Sequence, residues 1–209
     1  QEYEVLGTDI SCNLGSTNIP NLMKSPDFGK SVETMVRALT YVTDHSSIDA
    51  VPTIKNGNDQ AHTIGLGGMG LHTMFATNQM HYGSPESIEF TDIYFMLLNY
   101  YTLAASNKIA KERGEAFVNF NKSSYYTGEY FDAYTDSDVV FQSEKVKHIF
   151  EGIKVPTKED WLQLKQAVRE SGLYHQNRLA IAPTGSISYV NETSASLHPI
   201  TRLIEERQE

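Results

Sequence analysis

The chain has 209 residues, of which 40% are hydrophobic and 11% aromatic, enough to bury the core of one domain. Its 17 Lys and Arg residues against 26 Asp and Glu residues give a formal net charge of −9. That charge argues against a nucleic-acid or anionic-membrane surface, since both need clustered positive charge. The single cysteine, Cys12, excludes an internal disulfide framework and any metal site built from several cysteines of this chain.

No targeting or membrane-spanning segment is predicted. The longest apolar run, residues 93–105, contains Asn99 and several tyrosines and is too short to cross a bilayer. No signal peptide is recognisable, so we expect a cytoplasmic protein. Because the chain starts at Gln1 and stops inside a polar run, we expect residues 1–209 to be a single fragment of a longer or split polypeptide.

Two helix starts share one pattern in the first half of the chain. Residues 25–27 (Ser-Pro-Asp) offer an N-cap, a proline at the first helical position and an acid in the first turn, and apolar residues at helical spacing predict a helix to about Thr43. Residues 84–86 (Ser-Pro-Glu) repeat this start. They predict a long, largely buried helix that Gly114 ends.

A third helix is predicted further on. Thr157 and Asp160 have the spacing of a capping box, and Gly172 is the expected end of the helix. Before it, residues 115–142 hold many Tyr and Phe among Gly, Asn, Ser and Asp. This composition predicts a long excursion that aromatic side chains anchor.

The last third of the chain changes pattern. Residues 179–182 (Leu-Ala-Ile-Ala) form a short apolar run that predicts a buried strand, and residues 183–186 (Pro-Thr-Gly-Ser) turn the chain. The whole sequence therefore predicts an α/β fold, with helices around a few buried parallel strands.

The turn after this strand is a candidate phosphate site. A phosphate is bound by several N–H groups that converge on one point, and Gly185 would let the backbone approach closely. Hydroxyl groups of Thr184, Ser186 and Ser188 could add donors. The same pattern also fits an ordinary strand-to-helix turn capped by Ser and Thr.

Residues 65–70 (Gly-Leu-Gly-Gly-Met-Gly) match the dinucleotide-binding spelling G-x-G-x-x-G. Residues 59–64 before them do not form a convincing buried strand, which that site requires. We therefore interpret the glycines as a helix or turn against which another element packs closely.

Three further residue classes invite chemical roles. Cys12 is flanked by polar residues, so it is either a small buried side chain or a partly exposed, reactive thiol. The tyrosine pairs at 100–101 and 125–126 are interpreted as aromatic packing rather than radical relays. The histidines show no metal-binding spacing and are interpreted as structural; they are His45, His62, His72, His81, His148, His175 and His198.

Three segments taken together resemble the catalytic large subunit of class I ribonucleotide reductase, most closely the class Ib type of bacteria. They are residues 8–16 (TDISCNLGS), residues 65–72 (GLGGMGLH) and residues 183–189 (PTGSISY), the last followed by residues 196–200 (SLHPI). The resemblance covers essentially all 209 residues, and the order and spacing of the segments make it more specific than any one motif.

The resemblance implies part of a ten-stranded α/β barrel, of which this chain is a helix-rich fragment. In that family a thiyl radical takes hydrogen from the ribose of a nucleoside diphosphate, and two further cysteines become a disulfide as the 2′-hydroxyl leaves as water. Cys12 falls on one of these two redox cysteines. The loop implied to bind the substrate diphosphate comprises Pro183, Thr184, Gly185, Ser186 and Ile187.

The other elements of the family lie outside this sequence, so their roles have no residue here. They include the thiyl cysteine, the second redox cysteine and the radical-relay tyrosine pair. The resemblance implies that this chain binds no cofactor and that allosteric ATP and dNTP bind elsewhere in the large subunit. The implied partners are the rest of that subunit, a small subunit with a metal that supplies the radical, and a thioredoxin- or glutaredoxin-like reductant.

Because the reaction needs three thiols and this chain has one, we expect the chain alone to be inactive. A non-catalytic nucleotide- or phosphate-binding fragment of a split or interrupted reductase is the main alternative. A purely structural piece is a further one. A cobalamin-dependent reductase is an alternative within the enzyme class. The motifs around Cys12 and Gly185 resemble class I and argue against it.

Overall fold

The structure is a computed structural model, and it describes residues 11–46, 50–202 and 204. The strands are β1 (Leu14–Asn18) and β2 (Gly65–Met69). The helices are α1 (Ile19–Leu22), α2 (Phe28–His45), α3 (Pro52–Ala61), α4 (Leu71–Thr77), α5 (Pro85–Arg113), α6 (Ser124–Thr127), α7 (Asp132–Thr135), α8 (Glu144–Ile149), α9 (Lys158–Ser171) and α10 (Gly185–Val190). Two single 3-10 turns lie at Phe120–Lys122 and Glu129–Phe131.

The sheet is small and parallel. Strands β1 and β2 pair in register, from Leu14 opposite Gly65 to Asn18 opposite Met69, and helices connect them. The backbone N–H of Leu66 also donates to the carbonyl of Arg178 at 2.8 Å, so the later segment lies along the other edge of β2. The α/β architecture is therefore confirmed; within the described residues the sheet does not close into a barrel.

The predicted buried strand at residues 179–182 is wrong. The segment makes a single parallel bridge, between Leu179 and Leu66, and then leaves the sheet. Leu179 and Ile181 are 37% and 47% exposed. The reason is position: Leu179 lies at the outer edge of β2, residues 180–181 pass over the face of β2, and no described element covers the apolar side chains of this segment.

The glycine-rich segment at residues 65–70 is also not the predicted helix or turn. It is the buried strand β2, and the helix α4 follows it after Gly70, which takes a left-handed φ of 85°. The predicted close packing is confirmed. A Cβ on Gly65 would stand 2.8 Å from the Cβ of Ala180, and one on Gly67 would overlap the Ala180 carbonyl oxygen.

Local capping signals set the ends of α5 and α9. The hydroxyl of Ser84 caps α5, which ends at a left-handed Gly114. A complete capping box of Thr157 and Asp160 starts α9, and Gly172 ends it. All of these boundaries were predicted.

Helix α2 starts later than predicted. Its N-cap is Asp27, whose carboxylate accepts from Lys30 N at 2.8 Å, whereas Ser25 lies in the preceding turn and bonds to Ser31. A carboxylate at Asp27 reaches the free N–H groups of the first turn, so the helix begins one residue after it. The helix extends to His45, two residues beyond the predicted end.

The core consists of two hydrophobic clusters that share helix α5. Side chains of α2 and α5 form one cluster with Ile19, Leu66 and Phe75. A second cluster joins α5 and α9 to the aromatic excursion. There Trp161 stacks on Tyr134, with ring centroids 4.2 Å apart. Aromatic packing thus anchors residues 115–142, as the composition predicts.

His175 is a fully buried titratable group packed against this core. Its Nε2 lies 2.9 Å from Thr40 Oγ1 and its Nδ1 lies 2.9 Å from Ser106 Oγ. Burial, helped by the nearby charge of Arg178, lowers the pKa of His175 from 6.5 to about 3. The folded protein therefore holds this imidazole neutral.

We expect His175 to make the protein less stable in acid. Between pH 6.5 and about 3 the unfolded chain binds a proton at His175 and the folded chain does not. The protonation of His175 therefore leaves the free energy of unfolding unchanged above pH 6.5. Below that pH it lowers the free energy of unfolding by about 1.4 kcal/mol per pH unit. In urea unfolding across this window, His175→Gln should lose stability less steeply than the wild type. The exposed His148→Gln is the control, and equal slopes for all three proteins would contradict the expectation.

Candidate functional site

Cys12 lies just before β1, at the amino end of the strand pair, and its side chain is exposed. The carbonyl of Asn13 accepts from Gly65 N at 2.9 Å, so the sheet pairing already holds this part of the chain extended. In extended chain, alternate side chains share a face, which places Cys12 on the face of Leu14. Of the two interpretations of Cys12, the structure supports the exposed thiol.

The same face is crossed by the chain that leads to the candidate phosphate loop. Leu14 Cδ2 and Ala180 Cβ stand 2.6 and 2.8 Å from the point where a Cβ of Gly65 would lie. The next residue, Ile181, passes over Gly67. Glycine in β2 is what allows this crossing, because any side chain there would occupy the position of residues 180–181.

The loop turns at Thr184, which adopts a left-handed φ of 52° and is buried. A β-branched residue rarely takes this conformation, so the surroundings must hold it. The hydroxyl of Thr184 accepts from Ser196 N at 2.7 Å, and the hydroxyl of Ser188 donates to the Gly185 carbonyl at 2.8 Å. Of the three hydroxyl groups that could add donors for a phosphate, those of Thr184 and Ser188 already bond to backbone groups of the protein, and Ser186 is exposed.

Backbone N–H groups are the main donors of the loop. The N–H groups of Gly185, Ser186 and Ile187 open α10 and have no acceptor among the described residues, as is usual in the first turn of a helix. A Cβ on Gly185 would meet no atom within 4 Å, so the loop is open on that side.

A hydrogen-bonded bracket joins the loop to the carboxyl end of β2. Gly70 N donates to the carbonyls of Ser194 and Ser196, at 2.8 and 3.1 Å. Ser194 and Thr73 bond reciprocally, each backbone N–H to the other hydroxyl, at 2.8 and 3.1 Å. Sequence reasoning missed this bracket, since its members lie more than 100 residues apart in the chain.

Arg178 is the second feature that sequence reasoning missed. It is 3% exposed, and its guanidinium donates to the Tyr125 hydroxyl at 3.1 Å and to the Asn99 side-chain oxygen at 3.3 Å. No carboxylate pairs with it among the described residues. Because Arg178 shortly precedes Pro183 in the chain, these bonds fix the aromatic excursion to the segment that carries the loop.

Cys12 and the loop share a face but not an end of the sheet. Register places Cys12 level with Thr63, whereas the bracket places the loop beside Gly70. The bracket residues thus lie about seven strand residues from the level of Cys12, or about 23 Å at 3.3 Å per residue, whereas the chain that enters the loop passes over Gly67, four strand residues or about 13 Å from that level. The structure describes no contact between the thiol and the loop.

The described residues also bear on metal and membrane binding. Among them, no three His, Cys, Asp or Glu side chains lie where they could hold a metal ion. Within the same part of the chain, no helix combines the length and apolar character needed to cross a membrane.

The comparisons with known proteins agree on one family. The family model described as the ribonucleotide reductase barrel domain matches residues 2–209. The chain is 46% identical over 206 residues to the ribonucleoside-diphosphate reductase subunit alpha of Bacillus subtilis, covering 99% of this chain and 29% of that protein. It is 45% identical over 202 residues to the nrdEB subunit alpha of Bacillus phage SPbeta, covering 97% of this chain and 19% of the relative.

A more distant relative gives the same result. The subunit alpha of Mycoplasma pneumoniae is 40% identical over 213 residues, with 99% of this chain and 29% of that protein covered. The chain therefore spans less than a third of the length of these relatives. A match over nearly its whole length shows that the chain belongs to the ribonucleotide reductase barrel-domain family.

Proposed function

We propose that this chain supplies one redox cysteine and the substrate diphosphate loop of a class Ib-like ribonucleoside-diphosphate reductase. Cys12 is the redox thiol. The diphosphate loop is formed by residues 183–187. The other catalytic groups come from parts of the relatives' length that this chain does not span.

The proposed chemistry balances as a two-electron reduction. Cys12 and a second cysteine, both as thiols, give up two electrons and two protons and become a disulfide. The ribonucleotide loses its 2′-hydroxyl as water and gains a hydrogen in its place. A thiyl radical opens the reaction by taking the 3′-hydrogen and returns it at the end, so the radical is not consumed.

The observation that carries the proposal is the shared face of the sheet. The exposed thiol of Cys12 and the chain that crosses β2 toward the loop lie on the same side of β1 and β2. A nucleoside diphosphate that lies along this face would place its sugar toward the amino end of β1 and its phosphates at the open side of Gly185. Helix α2 covers the opposite face, where Leu39 packs against Gly15.

The loop chemistry suits a diphosphate. Free N–H groups of Gly185, Ser186 and Ile187 can each donate to phosphate oxygens, and hydrogen bonds to charged groups contribute about 1.5–3 kcal/mol each. The bracket from Gly70 to Ser196 fixes the loop before the ligand binds, which reduces the entropy cost of binding.

The proposal includes the parts that act with this chain. A small subunit with a metal centre supplies the radical, a thioredoxin- or glutaredoxin-like dithiol reduces the disulfide, and ATP or dNTP effectors bind elsewhere in the large subunit. No cofactor is assigned to this chain. The parallel pair β1 and β2 with the edge segment at Leu179 is one part of a ten-stranded barrel.

The test is an assay of the 209-residue chain alone and combined with the missing segments of a relative, with a dithiol and the radical-bearing small subunit. We expect deoxynucleotide only from the combination. Deoxynucleotide from the chain alone would contradict the requirement for three thiols. Binding of nucleoside diphosphate without any deoxynucleotide from the combination would instead favour a non-catalytic phosphate-binding fragment.

A further inference from the structure

A buried amide lies behind the cysteine segment. Asn58 belongs to the surface helix α3 and is 4% exposed. Its side-chain oxygen accepts from both the hydroxyl and the backbone N–H of Ser11, at 2.7 and 3.3 Å. Its amide nitrogen donates to the Ser46 carbonyl at 3.3 Å. Both ends of this amide are therefore engaged, one by the residue before Cys12 and one by the end of α2.

The residue after Cys12 continues the same network. Asn13 donates through Nδ2 to Ser11 Oγ at 2.7 Å and to Thr43 Oγ1 at 2.8 Å. Thr43 is buried in α2. Ser11 and Asn13 thus both point toward α2 and α3, and the extended backbone turns the side chain between them the opposite way.

We propose that Asn58 is a positioning residue for the Cys12 thiol. It does not contact the substrate or the sulfur; it fixes Ser11, and Ser11 with Asn13 fixes the backbone from which the thiol projects onto the open face. The redox role of Cys12 rests on the proposed function. The direction of the Cys12 side chain and the restriction of its motion can be measured independently of that role.

The chemistry explains why order matters at this position. The two cysteines can become a disulfide, as the ribonucleotide takes their two electrons, only if their sulfur atoms come within bonding distance, and disulfide geometry tolerates only a narrow range of distances between the two backbones. Reduction of that disulfide then needs an external thiolate to reach one of the two sulfurs. A cysteine that comes just before a strand, with nothing to hold its neighbours, would sample many directions. The polar link to α3 and α2 restricts that freedom at a partly buried site, where water competes less for each hydrogen bond.

A spin label on the thiol gives a direct test, because Cys12 is the single cysteine of the chain. In the complete 209-residue chain, we expect a label of restricted motion. Asn58→Ala should lose the restricted component of the spectrum, while helix content by circular dichroism is retained. Asn56→Ala is the matched control: this exposed residue of the same helix accepts a bond from Gln60 at 3.0 Å, and its loss should leave the label unchanged.

A second variant covers the case in which Asn58→Ala fails to fold. Ser11→Ala removes the hydroxyl that links Asn58 to Asn13 and lies outside every helix and strand. It should mobilise the label in the same way. A label that stays restricted in a folded Asn58→Ala protein, or in Ser11→Ala when the first variant does not fold, overturns the proposal.

The enzyme assembled with the missing segments separates this proposal from the proposed function. There Asn58→Ala should lower kcat and leave KM for the nucleoside diphosphate unchanged, since the loop is untouched. If Cys12→Ser retains full turnover, the redox assignment fails even where the label result holds. If Cys12→Ser is inactive but Asn58→Ala has an unchanged kcat, the positioning role fails and the redox assignment stands.

Discussion

Serine in place of Cys12 is expected to abolish reductant-dependent multiple turnover in the assembled enzyme and to leave nucleoside diphosphate binding nearly intact. A hydroxyl matches the thiol in size but cannot give up electrons to form a disulfide. Binding should persist because the exposed Cys12 side chain contacts no part of the loop in the described structure. A dithiol that is reduced in every cycle should also have a potential near that of thioredoxin, about −270 mV.

The measurement is deoxynucleotide formed per enzyme with excess dithiol, together with equilibrium binding of the substrate. Cys12→Ala should behave as the serine variant does, since both lack sulfur. The double variant Cys12→Ser with Ser16→Cys is a useful counterpart, because it moves the thiol further along the same face of β1. Full turnover by Cys12→Ser would rule out the redox role. Rescue by the displaced thiol would rule out a requirement for this position.

The parts of the fold that depend on local chemistry could be predicted from the sequence. Ser84, Gly114, Thr157 and Gly172 mark helix ends because a capping hydroxyl or a left-handed glycine acts within one turn. The α/β class was predicted from the same local signals together with an apolar run near the end of the chain, although that run does not form the predicted strand.

Strand β2 could not be predicted this way. Its sequence, Gly-Leu-Gly-Gly-Met, has low intrinsic strand preference, and its conformation comes from β1 on one edge and residues 178–180 on the other. The apolar run at residues 179–182 was wrongly predicted as a buried strand because tertiary contacts, here missing ones, again decide the outcome. Apolar composition shows that a segment suits burial, but burial depends on which elements lie beside it.

The residues of the candidate site also divide into those that local sequence reveals and those that depend on distant partners. Cys12 and the loop were found through motif spelling, which local sequence carries. Asn58 and Arg178 were missed because each acts through partners far away in the chain: 47 residues separate Asn58 from Ser11, and 79 separate Arg178 from Asn99. A buried polar residue has no sequence signature of its own, since its role depends on which partner satisfies it.

Aspartate in place of Gly185 is expected to weaken nucleoside diphosphate binding at least about tenfold, or about 1.4 kcal/mol, with little change in stability. A carboxylate there would project into the space proposed for the phosphates and repel them. The fold should tolerate it, because a Cβ at this position meets no atom within 4 Å and an acid in the first turn suits a helix.

Two further variants separate charge from volume in this prediction. Gly185→Ala adds the Cβ without charge and should reduce affinity less than Gly185→Asp. Gln163→Glu adds one negative charge on α9, and its affinity should match the wild type. Titration calorimetry with a nucleoside diphosphate, beside urea unfolding of each variant, gives both quantities. Unchanged affinity in Gly185→Asp would exclude the loop as the diphosphate site, because no ligand held by those N–H groups could avoid a carboxylate placed among them.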